Sequence, residues 1–255
     1  MSLLGRIITI ANQKGGVAKT TTAVNLSACL GTLGKKVLLI DIDPQGNASS
    51  GLGINKISPI RCIYDVIVNN VPISKVILPT EIKNFYIIPA TIQLAGAEVE
   101  LVSAISREVK LKKALENIKN EYDFIFIDCP PSLGLLTLNA LTAADSILIP
   151  IQCEYYALEG LSQLMNTVHL VQKHLNPNLN VEGAILTMFD ARTNLSIQVV
   201  DEVKNYFKEK VFTSIIPRNV RLSEAPSFGQ PIITYDPKSK GAEMYMELAK
   251  EVINR

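Results

Sequence analysis

A loop near the N-terminus carries two lysines and two threonines in a spacing that suits a phosphate chain. It reads NQKGGVAKTT over residues 12–21 and lies between an apolar run and a helical pattern. A strand–loop–helix unit aims successive backbone N–H groups and the positive end of the helix at one point. Lys19 can then reach the β- and γ-phosphates of a nucleotide, and the Thr20 hydroxyl is placed to bind Mg²⁺. The loop therefore predicts a nucleotide site.

The same loop departs from the phosphate-loop pattern GxxxxGK[ST] at both glycine positions. Gln13 stands at the first position and Ala18 at the second. Glycine lets the backbone approach a phosphate and adopts positive φ at no cost, whereas the Cβ of alanine crowds the nucleotide or strains the loop. Gly15 and Gly16 alone would also suit an ordinary turn, but the lysines and threonines in register favour phosphate binding. We expect the chain to fold, with nucleotide hydrolysis either intact or impaired.

Acidic residues follow two of the predicted buried strands. Asp41 and Asp43 lie on the same side of a chain end, because alternate residues of a strand point the same way. Asp128 ends the apolar run IFID, the Walker B arrangement that places an acid near Mg²⁺. Such acids also suit a solvated turn or a helix cap. Their place at the carboxyl ends of strands, where open α/β sheets bind ligands, favours a role at the nucleotide.

The elements that must position these residues alternate along the chain. Short, mostly continuous apolar runs are typical of strands buried on both faces, and they occur at Arg6–Ala11, Lys36–Asp41, Phe85–Pro89, Asp123–Asp128, Ser146–Ile151, Val181–Thr187 and Val211–Pro217. Helical patterns lie between them, at Lys19–Leu33, Glu108–Asn120, Leu133–Ala143, Leu158–His174, Ser196–Lys208 and Ala242–Ile253. The alternation predicts an α/β fold, a doubly wound, mostly parallel sheet flanked by helices. We interpret residues 1–255 as one domain, with short helices and loops inserted over residues 51–83.

Composition narrows the function classes. The chain carries 25 Lys and Arg against 24 Asp and Glu, so any contact with nucleic acid needs a local patch. The four cysteines lack metal-pair spacing, which argues against a zinc site or a disulfide scaffold. No apolar run approaches the roughly 20 residues that span a bilayer, and no secretory signal is recognisable. We therefore expect a cytoplasmic protein without membrane contact.

Several sequence blocks resemble one family. KGGVAKTT resembles the KGGxGKTT motif of the ParA/MinD-type ATPases with a deviant Walker A loop, and DIDPQGN and IDCPPSLG resemble the switch segments of that family. IPATIQLAGAEVEL, PIQCEYYALEGLSQL, LTMFDARTNLS and IPRNVRLSEAPSFGQPI are similar to its chromosome-partitioning ParA branch, called Soj. The blocks occur in order and cover most of the chain.

The resemblance implies a P-loop fold that binds ATP or ADP with Mg²⁺ and hydrolyses ATP. We expect the intrinsic turnover to be slow, because the sequence offers no obvious arginine finger beside the loop. It assigns the nucleotide to Lys14, Gly15, Gly16, Val17, Ala18, Lys19, Thr20, Thr21, Pro217 and Asn219, the last two at the adenine. It assigns the metal to Thr20, Asp43 and Asp128, and catalysis to Lys14, Lys19 and Asp43. In such a family, Lys14 acts across a dimer interface and Asp43 orients the attacking water.

The resemblance also implies partners. Arg192 and Arg221 match positions that bind DNA without sequence preference, although exposed arginines are more often only solvated. The implied cycle is an ATP-bound homodimer on nucleoid DNA, released when a ParB-type protein stimulates hydrolysis. Two alternatives stay open: a nucleotide-regulated binding protein whose turnover Ala18 impairs, and a MinD-like ATPase that cycles on membranes. The second requires a basic amphipathic C-terminus, whereas GAEMYMELAKEVINR suits an ordinary packed helix.

Overall fold

One sheet lies at the centre of the computed structural model, which describes residues 5–55, 61–154 and 160–255. Its strands in the described residues are β1 (Arg6–Ile10), β2 (Val37–Asp41), β3 (Leu78–Pro79), β4 (Phe85–Ile88), β5 (Phe124–Asp128), β6 (Ser146–Gln152) and β7 (Asn180–Thr187). Their order is β3–β4–β2–β5–β1–β6–β7, and all pairs are parallel except β3 with β4. The predicted α/β class is confirmed, while the assignment of residues 1–255 to one domain stays a prediction.

Two helical layers cover the two faces of the sheet. Alternate strand residues supply separate cores, as Ile7 and Ile8 do from β1. Against the core of Ile7 pack α3 (Ile63–Ile67), α4 (Leu94–Leu101), α5 (Lys110–Leu115), α6 (Leu135–Ala143), α7 (Leu161–His174) and α8 (Asn194–Phe207). Against the core of Ile8 pack α1 (Lys19–Thr32), α2 (Asn47–Gly51), α9 (Val220–Glu224), α10 (Ile232–Tyr235) and α11 (Lys240–Asn254). Burial on both faces explains why most strand sequences are uniformly apolar.

The predicted strand Val211–Pro217 is wrong as a regular strand. The segment runs beside β7 but makes only isolated bridges, Ala184 with Val211 and Phe189 with Pro217. Between them, the backbone N–H groups of Thr213 and Ser214 donate to the Glu251 carboxylate at distances of 2.9–3.1 Å. A side chain of α11 therefore takes the donors that a continuous ladder would need.

Other boundaries differ in ways that the apolar pattern does not encode. The predicted helix Glu108–Asn120 is shorter, because 3₁₀ turns at Arg107–Val109 and Lys119–Glu121 flank α5. Strand β3 is a two-residue antiparallel edge that contains a proline, which an edge tolerates. Residues 158 and 159, where the predicted helix Leu158–His174 begins, lie outside the described residues.

Candidate functional site

The phosphate loop and the acidic segments meet at one edge of the sheet. Strands β2 and β1 lie on either side of β5, and the register pairs Asp128 with Asp41 on β2 and with Ile10 on β1. Because these strands are parallel, the loops that follow them leave the sheet side by side. Residues that are distant in sequence therefore surround one space.

The loop between β1 and α1 presents backbone donors without partners. Among the described residues, the N–H groups from Gly15 to Thr21 donate no hydrogen bond. Lys19 is buried, and its ammonium group donates to the carbonyl oxygen of Lys14 at 2.9 Å. Burial lowers the pKa of Lys19, although the charge of Asp128 opposes this shift. An anion in the loop would satisfy the N–H groups and the lysine together.

Two other loop residues point away from that space. Val17 is buried, and its carbonyl oxygen accepts from the Thr187 hydroxyl at 3.1 Å, so the loop is fastened to the end of β7. The half-exposed Lys14 uses its backbone, accepting from Lys19 and donating to Asn12. Its ammonium group has no hydrogen-bond or ion-pair partner in the part of the chain that the structure describes. Lys14 is thus a cation that remains available beside the loop.

Ala18 adopts a backbone conformation that favours glycine. Its φ is 68° and its ψ is 32°, in the left-handed region, at the N-cap of α1. For a residue with a Cβ this region costs about 1–2 kcal/mol. Ala18 also lines the cavity beside the loop. The strain expected of this position is therefore present in the fold.

Asp128 is a buried carboxylate without a counterpart. It is fully buried, and neither carboxylate oxygen has a hydrogen-bond partner among the described residues. Burial raises the pKa of Asp128 well above its ordinary value, and the charges of Asp41 and Asp43 add to the rise. The nearby hydroxyl of Thr20 and the positive charge of Lys19 oppose it. Leaving such a group unpaired is costly, and a bound cation would remove the cost.

The two aspartates after β2 have different surroundings. Asp41 is fully buried and accepts from the backbone N–H and the hydroxyl of Ser49, at 2.9 and 2.7 Å. Burial raises the pKa of Asp41 to about 6. Asp43 instead lines the cavity, while its Oδ1 accepts from the backbone of Gln45 at 2.9 Å. Asp41 thus shapes the turn, and Asp43 faces the space where a ligand would lie.

Two adjoining cavities extend from the loop. The larger, of about 510 Å³, is lined by Gly15, Gly16, Ala18, Lys19, Thr20, Thr21 and Asp43 among others. The smaller, of about 260 Å³, is lined by Pro217 and Asn219 and shares Ala18, Thr21, Met188 and Pro226 with the larger. The predicted phosphate and adenine residues other than Lys14 and Val17 therefore border one continuous groove, and the fully buried Asp128 does not line it. Asn219 also caps α9, since its side-chain oxygen accepts from the backbone N–H of Arg221 at 2.8 Å.

The groove also has walls that the sequence analysis did not assign. These residues are Asn47, Ser50, Met188, Ala225, Pro226 and Gln230. Their only signal was that most of them fall in blocks similar to the family, without individual roles. On this side, the residues that follow α2 and the 3₁₀ turn Ala225–Phe228 come into backbone contact: a Cβ built on Gly229 would lie 2.7 Å from Gly53 Cα. Both glycines have positive φ, 72° and 66° for Gly53 and Gly229.

The residues fit a nucleotide with Mg²⁺. Within the described residues, the loop supplies unpaired N–H donors and Lys19, and Asp128 supplies unpaired carboxylate oxygens. No group of three or more His, Cys, Asp or Glu in the described residues could hold a metal alone. Mg²⁺ commonly takes one or two carboxylates and completes its shell with phosphates and water, which suits this donor set.

The two predicted DNA-binding arginines lie outside the groove. Arg192 follows β7, and its guanidinium forms two hydrogen bonds to Asp190 at 2.8 and 2.6 Å. This pairing lowers the pKa of Asp190 to about 2. Arg221 lies on α9 and pairs with Glu224 at 2.8 Å. Both arginines are exposed, and both are engaged within the chain.

Comparison with known proteins gives the family. A family model described as an AAA domain matches residues 5–181. The chain is 68% identical to the sporulation initiation inhibitor protein Soj of Bacillus subtilis, over 98% of each chain. The chain belongs to the Soj/ParA family of ATPases. It is also 60% identical to the chromosome partitioning protein ParA of Myxococcus xanthus, over 99% of this chain and 89% of that protein.

A solved structure places nucleotide chemistry on the same fold. Cobyrinic acid a,c-diamide synthase from Mycobacterium smegmatis, solved with ADP and magnesium, is 38% identical to this Soj/ParA chain. The match covers 98% of this chain and 94% of that one, with a TM-score of 0.86. The predicted family, P-loop fold and ATP and Mg²⁺ chemistry are thereby confirmed. The roles of individual site residues stay predictions.

The C-terminal helix α11 bears on the alternative of a MinD-like ATPase that cycles on membranes. No helix within the described residues is long and apolar enough to cross a bilayer. The apolar face of α11, with Tyr245, Leu248 and Val252, is buried in the same core as α1. A membrane-surface helix would need that face free, so the packing does not favour the membrane-cycling alternative.

Proposed function

We propose that this protein is a partition ATPase that pairs upon ATP binding, holds DNA without sequence preference and leaves it after hydrolysis. The observation that carries the proposal is that unpaired loop donors and buried Lys19 line one groove, while Asp128, whose carboxylate oxygens lack partners among the described residues, lies next to Lys19 and Thr20. A ParB-type protein stimulates hydrolysis, and nucleoid DNA is the surface to which the paired protein binds. Both partners follow from family membership, and the exposed Arg192 and Arg221 support DNA binding.

Each residue has a role that suits its position. The loop N–H groups and Lys19 bind the phosphates, and Thr20, Asp43 and Asp128 hold Mg²⁺, which neutralises phosphate charge and orients the phosphates. Asp43, at the groove wall, positions the water that attacks the γ-phosphorus. Pro217 and Asn219 contact the adenine from the smaller cavity.

Lys14 completes the site of a second copy. Its ammonium group has no partner among the described residues, and the adjacent Gly15 and Gly16 are exposed. A cation in this position can reach across an interface to the phosphates of a facing protomer. Pairing then depends on a correctly seated γ-phosphate, which explains why the dimer would form with ATP and dissolve after hydrolysis.

One observation favours a second candidate function. The left-handed backbone of Ala18 stores strain at the point where backbone must approach phosphate. If that strain displaces the γ-phosphate, the protein binds nucleotide and responds to it but turns it over poorly. Such a chain would act as a nucleotide-regulated binding protein rather than as an efficient ATPase.

Binding and turnover measured on the same preparation distinguish these functions. We expect calorimetry to show Mg²⁺-dependent binding of ATP and weaker binding of GTP. We expect slow phosphate release that DNA and a ParB-type protein together accelerate. Equal or tighter GTP binding contradicts the adenine assignment. Tight ATP binding without turnover, even with both partners present, selects the second candidate.

A further inference from the structure

Arg221 is paired with two carboxylates, one from its own helix α9 and one from the residue after α10. Its Nη1 lies 2.8 Å from Oε2 of Glu224, in α9, and its Nε lies 3.5 Å from Oδ2 of Asp236, which follows α10. The Tyr235 hydroxyl donates to the same Glu224 oxygen at 3.2 Å, so that carboxylate is fixed in place. A guanidinium flanked in this way already has on the protein the ligand that a DNA phosphate would provide.

Two neighbouring arginines are also paired with acids of the chain. Arg192 and Arg218 are likewise paired, with Asp190 and Glu154, both at 2.6 Å. Along this surface, three guanidinium groups meet four carboxylates: Asp190, Glu154, Glu224 and Asp236. A DNA backbone that approaches must displace some of these carboxylates and is repelled by those that remain.

The pairs at Arg221 differ from the pair at Arg192. Asp190 is two residues from its arginine and also accepts the backbone N–H of Arg192, so it shapes its own loop. Glu224 and Asp236 are partly exposed, 39% and 34% at the side chain, and their removal leaves the backbone of α9 and α10 unchanged in its hydrogen bonds. They are therefore the acids whose charge can be altered without disturbing a loop.

We propose that Glu224 and Asp236 compete with the DNA backbone for Arg221, and so limit the affinity of this protein for DNA. This inference rests on the proposed DNA-binding function and names the residues that regulate it. A phosphate that binds Arg221 releases a cation from the DNA, but it also frees a carboxylate that gathers a cation from solution. The internal pairing therefore reduces the net ion release, which for an unpaired arginine would be about one ion per phosphate.

The test measures DNA affinity of the ATP-bound full chain as a function of salt. Glu224→Gln keeps the size of the side chain and an acceptor for Tyr235, and Asp236→Asn is equally conservative. We expect each to tighten binding roughly two- to fivefold at about 0.1 M salt. We also expect each to steepen the plot of log affinity against log salt concentration, by up to about one unit for the two combined.

Two further variants make the outcome decisive. Glu108→Gln removes the same charge from an acid that is paired with Arg107 at 2.9 Å, beside α5 on the other face of the sheet, and we expect it to change little. Arg221→Ala combined with Glu224→Gln is expected to lose the gain. An equal gain in Glu108→Gln, a gain that persists without Arg221, or no gain at all overturns the proposal. If Arg221→Ala alone leaves affinity unchanged, the DNA-binding surface itself is misplaced.

Discussion

The nucleotide groove and the arginine surface both suit phosphate, but their charges are arranged in opposite ways. In the groove, backbone donors and both oxygens of buried Asp128 have no partners among the described residues. On the surface, Arg192 and Arg221 are fully engaged with acids of the same chain. Buried unpaired groups are costly and persist because a ligand will satisfy them. The exposed arginines are already paired without a ligand, so DNA must compete with these acids for them.

The largest effect is expected where the groove does chemistry. Asp43→Ala should lower the turnover of ATP by about 10²–10⁴-fold, because water loses the carboxylate that positions it. ATP affinity should stay within a few fold, and both are measured by phosphate release and calorimetry. Asp201→Ala, which removes an exposed acid from α8, serves as the control and should alter neither quantity. Loss of ATP binding would show that Asp43 acts mainly as a metal ligand.

The next effect concerns the strained residue of the groove. Ala18→Gly should raise ATP affinity by roughly 5- to 150-fold, since a misfit of one methyl costs about 1–3 kcal/mol. The dimer fraction at fixed ATP should rise with it, as light scattering can measure. Ala23→Gly, within α1, makes the same change where no positive φ exists and should only lower stability. Equal ATP-dependent dimerisation of the unaltered chain and of Ala18→Gly would show that the methyl group does not impair pairing.

Removing the charge of Asp128 should change stability and nucleotide binding in opposite directions. Asp128→Asn should raise the free energy of unfolding of the nucleotide-free protein by about 1–3 kcal/mol, because an uncompensated buried charge disappears. The same change should weaken Mg²⁺-dependent nucleotide binding. Urea denaturation and calorimetry measure the two effects. A variant that is less stable without nucleotide would mean that Asp128 is satisfied in the free protein.

The two fully buried acids beside the groove also predict a pH dependence of stability. Asp41 and Asp128 have raised pKa values in the folded protein, so the native state binds their protons more tightly than the unfolded chain. Their contribution to stability is therefore greatest at low pH. For Asp41 it is lost as the pH rises from about 4 to its folded pKa of about 6. The difference in unfolding free energy between Asp128→Asn and the unaltered chain should thus grow with pH, and a constant difference would contradict the assignment.

The smallest effect is expected on the surface. Arg221→Ala should weaken DNA binding alike on all sequences, as befits one lost phosphate contact, but should lower the salt slope by less than about one unit, because the freed Glu224 and Asp236 offset part of the ion release. Fluorescence anisotropy with two unrelated duplexes at several salt concentrations measures both. Arg107→Ala is the matched control, because that arginine is also paired with an acid but lies beside α5. A loss restricted to one duplex would indicate base contacts instead.

Features that depend on local sequence patterns could be predicted, whereas features that depend on long-range contacts could not. Apolar strand runs and the loop NQKGGVAKTT are local patterns, so the sheet and the residues at its carboxyl edge were predictable. The failed strand Val211–Pro217 depends on Glu251, a side chain more than thirty residues away that captures its backbone donors. No local pattern encodes such a contact.

The groove walls and the surface pairs were hidden for a similar reason. Pro226 and Gln230 reach the groove only because their segment folds against α2. The pairing of Arg221 with Asp236 joins two helices, and a sequence shows the charges without showing which ones meet. The strain at Ala18 was foreseen because it follows from the residue type at one position of a known loop.

The contact between Gly53 and Gly229 has a consequence for how the groove opens. A Cβ on Gly229 would come within 2.7 Å of Gly53 Cα, and both glycines have positive φ, so the turn after α2 and the turn before α10 meet backbone to backbone. We expect two segments in such close backbone contact to open as one unit. In hydrogen–deuterium exchange, their amides are therefore expected to lose protection as one cooperative unit, with a common rate that nucleotide slows on both sides at once.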